Sequence, residues 1–245
     1  MLTAVLLLAS SVQTPALEKN AGAIITKLFQ RYYSASSARG TILSESKDDA
    51  GAIGFKTTLA YERPAKILVT QDRKGRNGLN YRLVSDGTNF SYDPPRASLV
   101  RPKPYERLFE PVMVVRPGVG RWSHKIGDIY AVGHSSLEFC VSLDIIVAHD
   151  PHLLDFKTLA ATYKLEGMED FKGKKVYKIT GKWRSSANMD PSGDYMLLVS
   201  QEFDLLMFTL REKYQVSGKT VNYSLTEVCD VQTGLSVPPD LFKVN

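Results

Sequence analysis

The chain has 245 residues, with 31 Lys and Arg against 26 Asp and Glu for a net charge of +5, 43% hydrophobic residues, 17 Gly, 12 Pro and 2 Cys. This composition excludes collagen-like, disulfide-dense and disordered chains, and the length allows a core that needs no metal or disulfide staple. The basic residues are scattered, with only short turn-like groups at Arg73-Lys74-Gly75-Arg76 and Lys172-Gly173-Lys174-Lys175, whereas nucleic-acid binding uses a concentrated stripe.

Leu2 to Val12 form a short apolar run that leads into Thr14-Pro15-Ala16. The run is shorter than the ~20 residues that span a bilayer, and small residues follow it, so residues 1–16 read as a secretory signal peptide. No Lys or Arg precedes the run, and an apolar strand or helix of the mature fold is the alternative. The expectation is an exported, soluble, periplasmic protein without an integral membrane span, in which 17–245 form a single domain.

Leu17, Ala21, Ile24, Ile25, Leu28, Phe29 and Tyr32 recur at helical spacing, which predicts an amphipathic helix over 17–37, ended by Gly40. Period-two alternation follows, as Phe55, Thr57, Leu59 and Tyr61 alternate with polar or small residues up to Arg63-Pro64, and Ile67 and Val69 resume beyond it. Asp86-Gly87, between Tyr81, Leu83 and Ser85 on one side and Phe90 and Tyr92 on the other, predicts a tight hairpin.

Pro94, Pro95, Pro102 and Pro104 break the alternation, and 95–155 reads as a proline-rich and helical insertion with short helices at Tyr105–Val115 and Ser136–Ala148. Strands return at Tyr163 and Leu165, turn at Phe171-Lys172-Gly173-Lys174, and continue through Val176 to Trp183, then about 194–201, 204–214 and 220–230, with a turn at Ser217-Gly218-Lys219. The fold class expected is α+β. It is a strongly curved antiparallel sheet, an open, unclosed β-barrel wrapped around the leading helix and the inserted helices.

Catalytic signatures are scarce. The four histidines, His124, His134, His149 and His152, include the pair in His149-Asp150-Pro151-His152, where the proline spoils a helical ligand face. No H-E-x-x-H, paired C-x-x-C, G-x-S-x-G or phosphate-binding loop occurs. The expectation is no metal, no cofactor and no enzyme activity, and a hydrolase or lyase is the minor alternative. Cys140 and Cys229 are a disulfide candidate, and two separate buried thiols would give the same pattern.

One face of the strands collects Phe55, Leu59, Tyr61, Ile67, Val69, Tyr81, Leu83, Phe90, Tyr92, Tyr177, Ile179, Trp183, Leu197, Phe208, Tyr223 and Leu225. Such a set either packs a core or lines a site for a hydrophobic ligand.

Several segments resemble the outer-membrane lipoprotein carrier superfamily, LolA/LolB-like, and its exported members. They are Leu28-Phe29-Gln30-Arg31-Tyr32-Tyr33-Ser34-Ala35, Tyr61-Glu62-Arg63-Pro64, the hairpin from Leu83 to Pro94, Phe171-Lys172-Gly173-Lys174-Lys175-Val176-Tyr177 and Val237-Pro238-Pro239-Asp240-Leu241-Phe242, all in the same order along the chain. The resemblance implies an open barrel with a helical lid over an apolar cavity that receives acyl chains of a lipid or lipoprotein, lined by the one-face residues. It also implies an envelope protein partner as the alternative, as in periplasmic regulators of envelope stress that share the fold. The sequence departs from the carriers in its 95–155 insertion and in lacking an arginine that matches their functional one.

Overall fold

The structure, a computed structural model, describes residues 19–74, 81–93, 125–127, 129–130, 140–147, 156–184, 190–216 and 218–244. The signal-peptide expectation for 1–16, the helix expected at Tyr105–Val115 and all four histidines lie outside the described residues.

Helix α1 (Ala21–Ser34) is amphipathic, as its spacing predicts, and buries Ile24, Ile25, Leu28, Phe29 and Tyr32. It is shorter than expected at both ends. The Asn20 side chain accepts the Ala23 N–H at 3.1 Å and fixes the start, while strand β1 (Ser37–Asp48) claims the residues after Ser34. Gly40 therefore does not stop the helix. It lies inside β1, where a Cβ would stand 2.0 Å from the Asp230 carbonyl oxygen, so its lack of a side chain lets two strands approach.

The other strands are β2 (Gly51–Glu62), β3 (Lys66–Lys74), β4 (Tyr81–Asp86), β5 (Phe90–Asp93), β6 (Lys164–Phe171), β7 (Lys174–Arg184), β8 (Pro191–Ser200), β9 (Leu205–Val216) and β10 (Lys219–Thr233). They form one antiparallel sheet of ten strands in the order β5-β4-β3-β2-β1-β10-β9-β8-β7-β6. Two meanders of consecutive hairpins meet where β1 pairs with β10, from Ala38 opposite Thr233 to Lys47 opposite Ser224. Among the described residues the sheet is not closed, since β5 and β6 are its two edges. β5 is only four residues long, and β6 carries Lys164, Glu166, Glu169 and Asp170, so both edges are poor templates for another strand.

Turn chemistry follows the sequence. Gly87 has φ +93°, and the Asp86 carboxylate accepts the N–H of Thr88 and of Asn89, each at 2.7 Å. Burial pushes the Asp86 carboxyl up, but the bonds from Asn89 and Thr88 outweigh it and hold it below its ordinary value. Lys172 and Gly173, at φ 51° and 77°, join β6 to β7 in the left-handed conformation that two-residue hairpins favour.

The period-two pattern gives the sheet two unlike faces. The inner face carries the main core, covered by α1, helix α2 (Val141–Val147) and helix α3 (Phe156–Leu159). On the outer face, Val237 and Phe242, around a short 3-10 helix at Pro239–Phe242, pack on Ala60, Leu68 and Val84 of β2, β3 and β4. The Val237-to-Phe242 segment is thus a strap over the first meander. The Ser37 hydroxyl ties it down by donating to the Leu235 carbonyl at 2.7 Å.

Candidate functional site: the covered apolar face

The inner face gathers the residues expected there. Phe55, Leu59, Tyr61, Ile67, Val69, Tyr81, Leu83, Tyr177, Ile179, Trp183, Leu197, Phe208 and Leu225 are buried in one contiguous cluster, and Phe90 and Tyr223 pack against it. Tyr92 pairs with Leu83 through β5, and only its backbone is described. Across the second meander the face reads Leu225, Leu210 and Tyr195 in one row and Phe208, Leu197 and Ile179 in the next.

Phe156 of α3 is the hub of this half. Its ring centroid lies 5.2 Å from Tyr195, 6.1 Å from Trp183, 6.2 Å from Phe29 and 6.3 Å from Phe208, distances at which tilted and edge-to-face aromatic pairs attract. The sequence signal for Phe156 was hidden at the end of the irregular insertion.

α1 is held by polar contacts as well as by its apolar stripe. The Tyr61 hydroxyl donates to the Tyr32 carbonyl at 3.0 Å, and the Tyr32 hydroxyl accepts the Leu205 N–H at 3.0 Å. Arg63 donates to the Ala35 carbonyl at 3.2 Å, and its guanidinium lies over the rings of Tyr33 and Tyr61.

α2 is a different kind of cover. It falls within the expected Ser136–Ala148 segment, and all seven of its residues are buried. A helix with no solvent face belongs inside a protein, and here it fills the space between α1 and β9. Its one carboxylate, Asp144, accepts a hydrogen bond from the Tyr130 hydroxyl at 2.6 Å. The first turn of α2 meets a side chain that sequence reading missed. Glu227 of β10, wholly buried, accepts the N–H of Val141 at 3.1 Å on one oxygen and that of Ser142 at 2.7 Å on the other. Burial pushes the Glu227 carboxyl up to about 7 even though hydrogen bonding by Ser142, through both its side chain and its N–H, and by Cys140 favours the anion. Alternation would have placed Glu227 on the inner face, between Leu225 and Cys229, where its charge marks it as out of place.

The sequence leaves a disulfide and two separate buried thiols open. Cys140 and Cys229 are free thiols, both buried. They sit near one another at the junction of α2 and β10, where burial and the nearby carboxyl of Glu227 push both thiols well above their ordinary values. Each behaves as a small apolar side chain in the core.

Two grooves lie along the sheet. One, of about 790 Å³, is lined by Thr180, Met196, Met207 and Thr226 together with Tyr195, Leu210 and Leu225. The other, of about 500 Å³, is lined mainly by charged and polar residues including Lys47, Asp49, Asp194, Arg211 and Asn222. Among the described residues, no group of three or more His, Cys, Asp and Glu converges as a metal site. No helix among them is long and apolar enough to cross a membrane.

No family model matches the sequence, and no curated protein matches it. Among solved structures, the chain is similar to the lipoprotein LppX of Mycobacterium tuberculosis, with 12% identity, 86% of this chain and 95% of that one covered, and a TM-score of 0.40. It is also similar to a LolA superfamily protein of Nitrosomonas europaea, with 10% identity over 93% of this chain and 99% of that one and a TM-score of 0.36. A third is MucB from the MucA/MucB complex of Pseudomonas aeruginosa, with 11% identity and a TM-score of 0.41, where 92% of this chain spans 61% of that one. The likeness concerns the backbone fold.

Proposed function

We propose that the protein binds a hydrophobic ligand, the acyl chain of a lipid or a lipidated protein, on the inner face of its sheet and carries it in the periplasm. In this reading the sheet acts as an open, curved barrel, and the one-face residues from Phe55 to Leu225 become the lining of the site. The observation that carries the reading is the nature of the cover. α2 fills the middle of a large apolar face yet belongs to no strand ladder, so it can move without breaking a single strand pair. An acyl chain taking its place would recover the buried apolar area at about 0.8 kcal/mol per methylene. Both edges of the sheet are blunted, which favours this reading over a partner-protein module that adds a strand.

Titration of the delipidated protein with a fluorescent fatty acid tests the reading. Saturable uptake near one molecule per chain is expected. Uptake that rises without saturation, or none at all, would refute it.

A further inference from the structure

The outer face of the second meander changes character along its strands. Met196, Thr209 and Arg211 alternate with Tyr195, Leu197, Phe208 and Leu210, which are buried in the inner core, so the former share the outer face. The two grooves meet there, because Asp194, Arg211 and Ser224 line both. At the polar end a row of side chains crosses the sheet from Lys47 through Ser224, Arg211 and Asp194 to Lys182. The next outward row is Thr226, Thr209, Met196 and Thr180. Beyond it lies an apolar row of Leu43, Val228, Met207 and Leu198, in which Leu43 is 55% exposed. The two grooves thus form one trough, charged at one end and apolar at the other.

The charges at the polar end do not cancel. Asp194 is held by the Lys182 ammonium, and Asp49 accepts the Asn222 N–H at 3.1 Å and its side-chain amide at 3.3 Å. Asp48 accepts the N–H of Ala50 at 2.8 Å and of Gly51 at 3.1 Å within its own turn. Glu212, in step with Phe208 and Leu210, accepts the Ser192 hydroxyl at 2.8 Å. Lys47, Arg211 and Lys213 are exposed, and their side chains make no hydrogen bond or ion pair among the described residues. Lys47 and Arg211 flank Ser224 and start about 10 Å apart, and Lys213 starts about 7 Å from Arg211 along β9, so all three can reach one anion.

We propose that this trough is a second binding site, for a single-chain amphiphile with an anionic headgroup. Arg211, with Lys47 and Lys213, takes the head, and the tail runs over Thr209 and Met196 towards Met207, about 13 Å along β9. The unbranched, polarizable methionines adapt to a flexible chain. The site lies on the opposite side of the sheet from the inner face and does not require α2 to yield.

Methyl-labelled methionine followed by nuclear magnetic resonance tests the site. Decyl phosphate, kept below its micelle concentration, is expected to move the Met196 and Met207 signals saturably, and Met168, packed on the inner core, reports the inner face. R211Q should weaken the response about tenfold, the loss of a charge-assisted contact, and K47Q by a smaller factor. An undiminished response in both variants would overturn the proposal. Should R211Q lose its fold, K47Q decides. Met196 and Met207 moving without Met168 support this site and not the inner-face reading; Met168 moving alone supports that reading and overturns this site. Displacement of decyl phosphate by inorganic phosphate at equal concentration would reduce the trough to an ion site and overturn the tail contact. A response to phosphatidylglycerol vesicles but not to monomeric decyl phosphate would make the trough a membrane-docking surface and overturn the amphiphile.

Discussion

Tyr32 joins α1 to both halves of the sheet. Its carbonyl accepts the Tyr61 hydroxyl of β2, and its own hydroxyl accepts the Leu205 N–H at the start of β9. One residue thus spans the two meanders that meet at the β1–β10 pair. Replacing Tyr32 by Phe keeps the ring packing but strands a backbone N–H inside the protein, which costs about 1–3 kcal/mol. Urea denaturation of Y32F should show a lower midpoint with an unchanged slope. An unchanged midpoint would mean that water replaces the hydroxyl.

Gly40 tests the close approach of β1 and β10. A Cβ there would stand 2.0 Å from the Asp230 carbonyl oxygen and 2.5 Å from the Val231 Cα, both backbone atoms that cannot swing aside. G40A should destabilise by about 3 kcal/mol, the upper end for overpacking, visible as a lower thermal midpoint. Gly54 of β2 is the control, because its nearest neighbour would be 3.8 Å away, an ordinary contact.

Phe156 tests the aromatic cluster under the second meander. F156A removes a ring that touches Phe29, Trp183, Tyr195 and Phe208, and truncating a buried Phe costs about 3–5 kcal/mol. Denaturant unfolding and near-ultraviolet circular dichroism should both register the loss. A stability change under about 1 kcal/mol would show that the cluster closes over the gap.

Glu227 gives stability a pH dependence of definite sign. Its folded value, about 7, lies above the ordinary carboxyl value of 4.5, so between these two the folded protein holds a proton that the unfolded chain has released. Its contribution is fully present below the ordinary value and is lost as pH rises to about 7, a loss on the order of 3 kcal/mol. Asp86 and Glu166, lowered from their ordinary values, act in the opposite direction, and both are mostly solvated. Denaturation midpoints should therefore fall from pH 5 to pH 7, and E227Q should flatten that fall. A wild-type midpoint that rises over this range would contradict the burial of the carboxyl.

Cys140 and Cys229 offer a chemical count. Both thiols are buried and hold their protons well above the ordinary range, so neither should react with an aromatic disulfide reagent at pH 8 in the folded protein. Two should react in denaturant without prior reduction. None reacting in denaturant would show the pair oxidised.

Much of the fold is written in the sequence. The alternation from Phe55 to Tyr61, Asp86-Gly87 and Lys172-Gly173 specify strands and turns because period and positive φ are local properties. β1 escaped because Ile42 and Leu43 are adjacent apolar residues facing opposite sides, and because Gly40 imitates a helix stop. The β1–β10 pairing escaped because nothing local marks two strands about 190 residues apart as partners (Gly40 with Val231, Ile42 with Cys229). The one-face residues were legible as a set, but whether a sheet face is covered depends on helices such as α2, whose burial on every side no periodicity reveals. Glu227 was legible only as a charge in an inward position.

In the proposed function the inner face accepts an acyl chain when α2 yields. W122F leaves Trp183, buried on that face beside Phe156, as the sole tryptophan. Titration of this variant with a brominated fatty acid, whose bromine quenches indole fluorescence only at contact, reports directly on the site. Saturable quenching of Trp183 near one equivalent is expected. Fluorescence that stays unquenched while the fatty acid binds elsewhere, or does not bind, would contradict it.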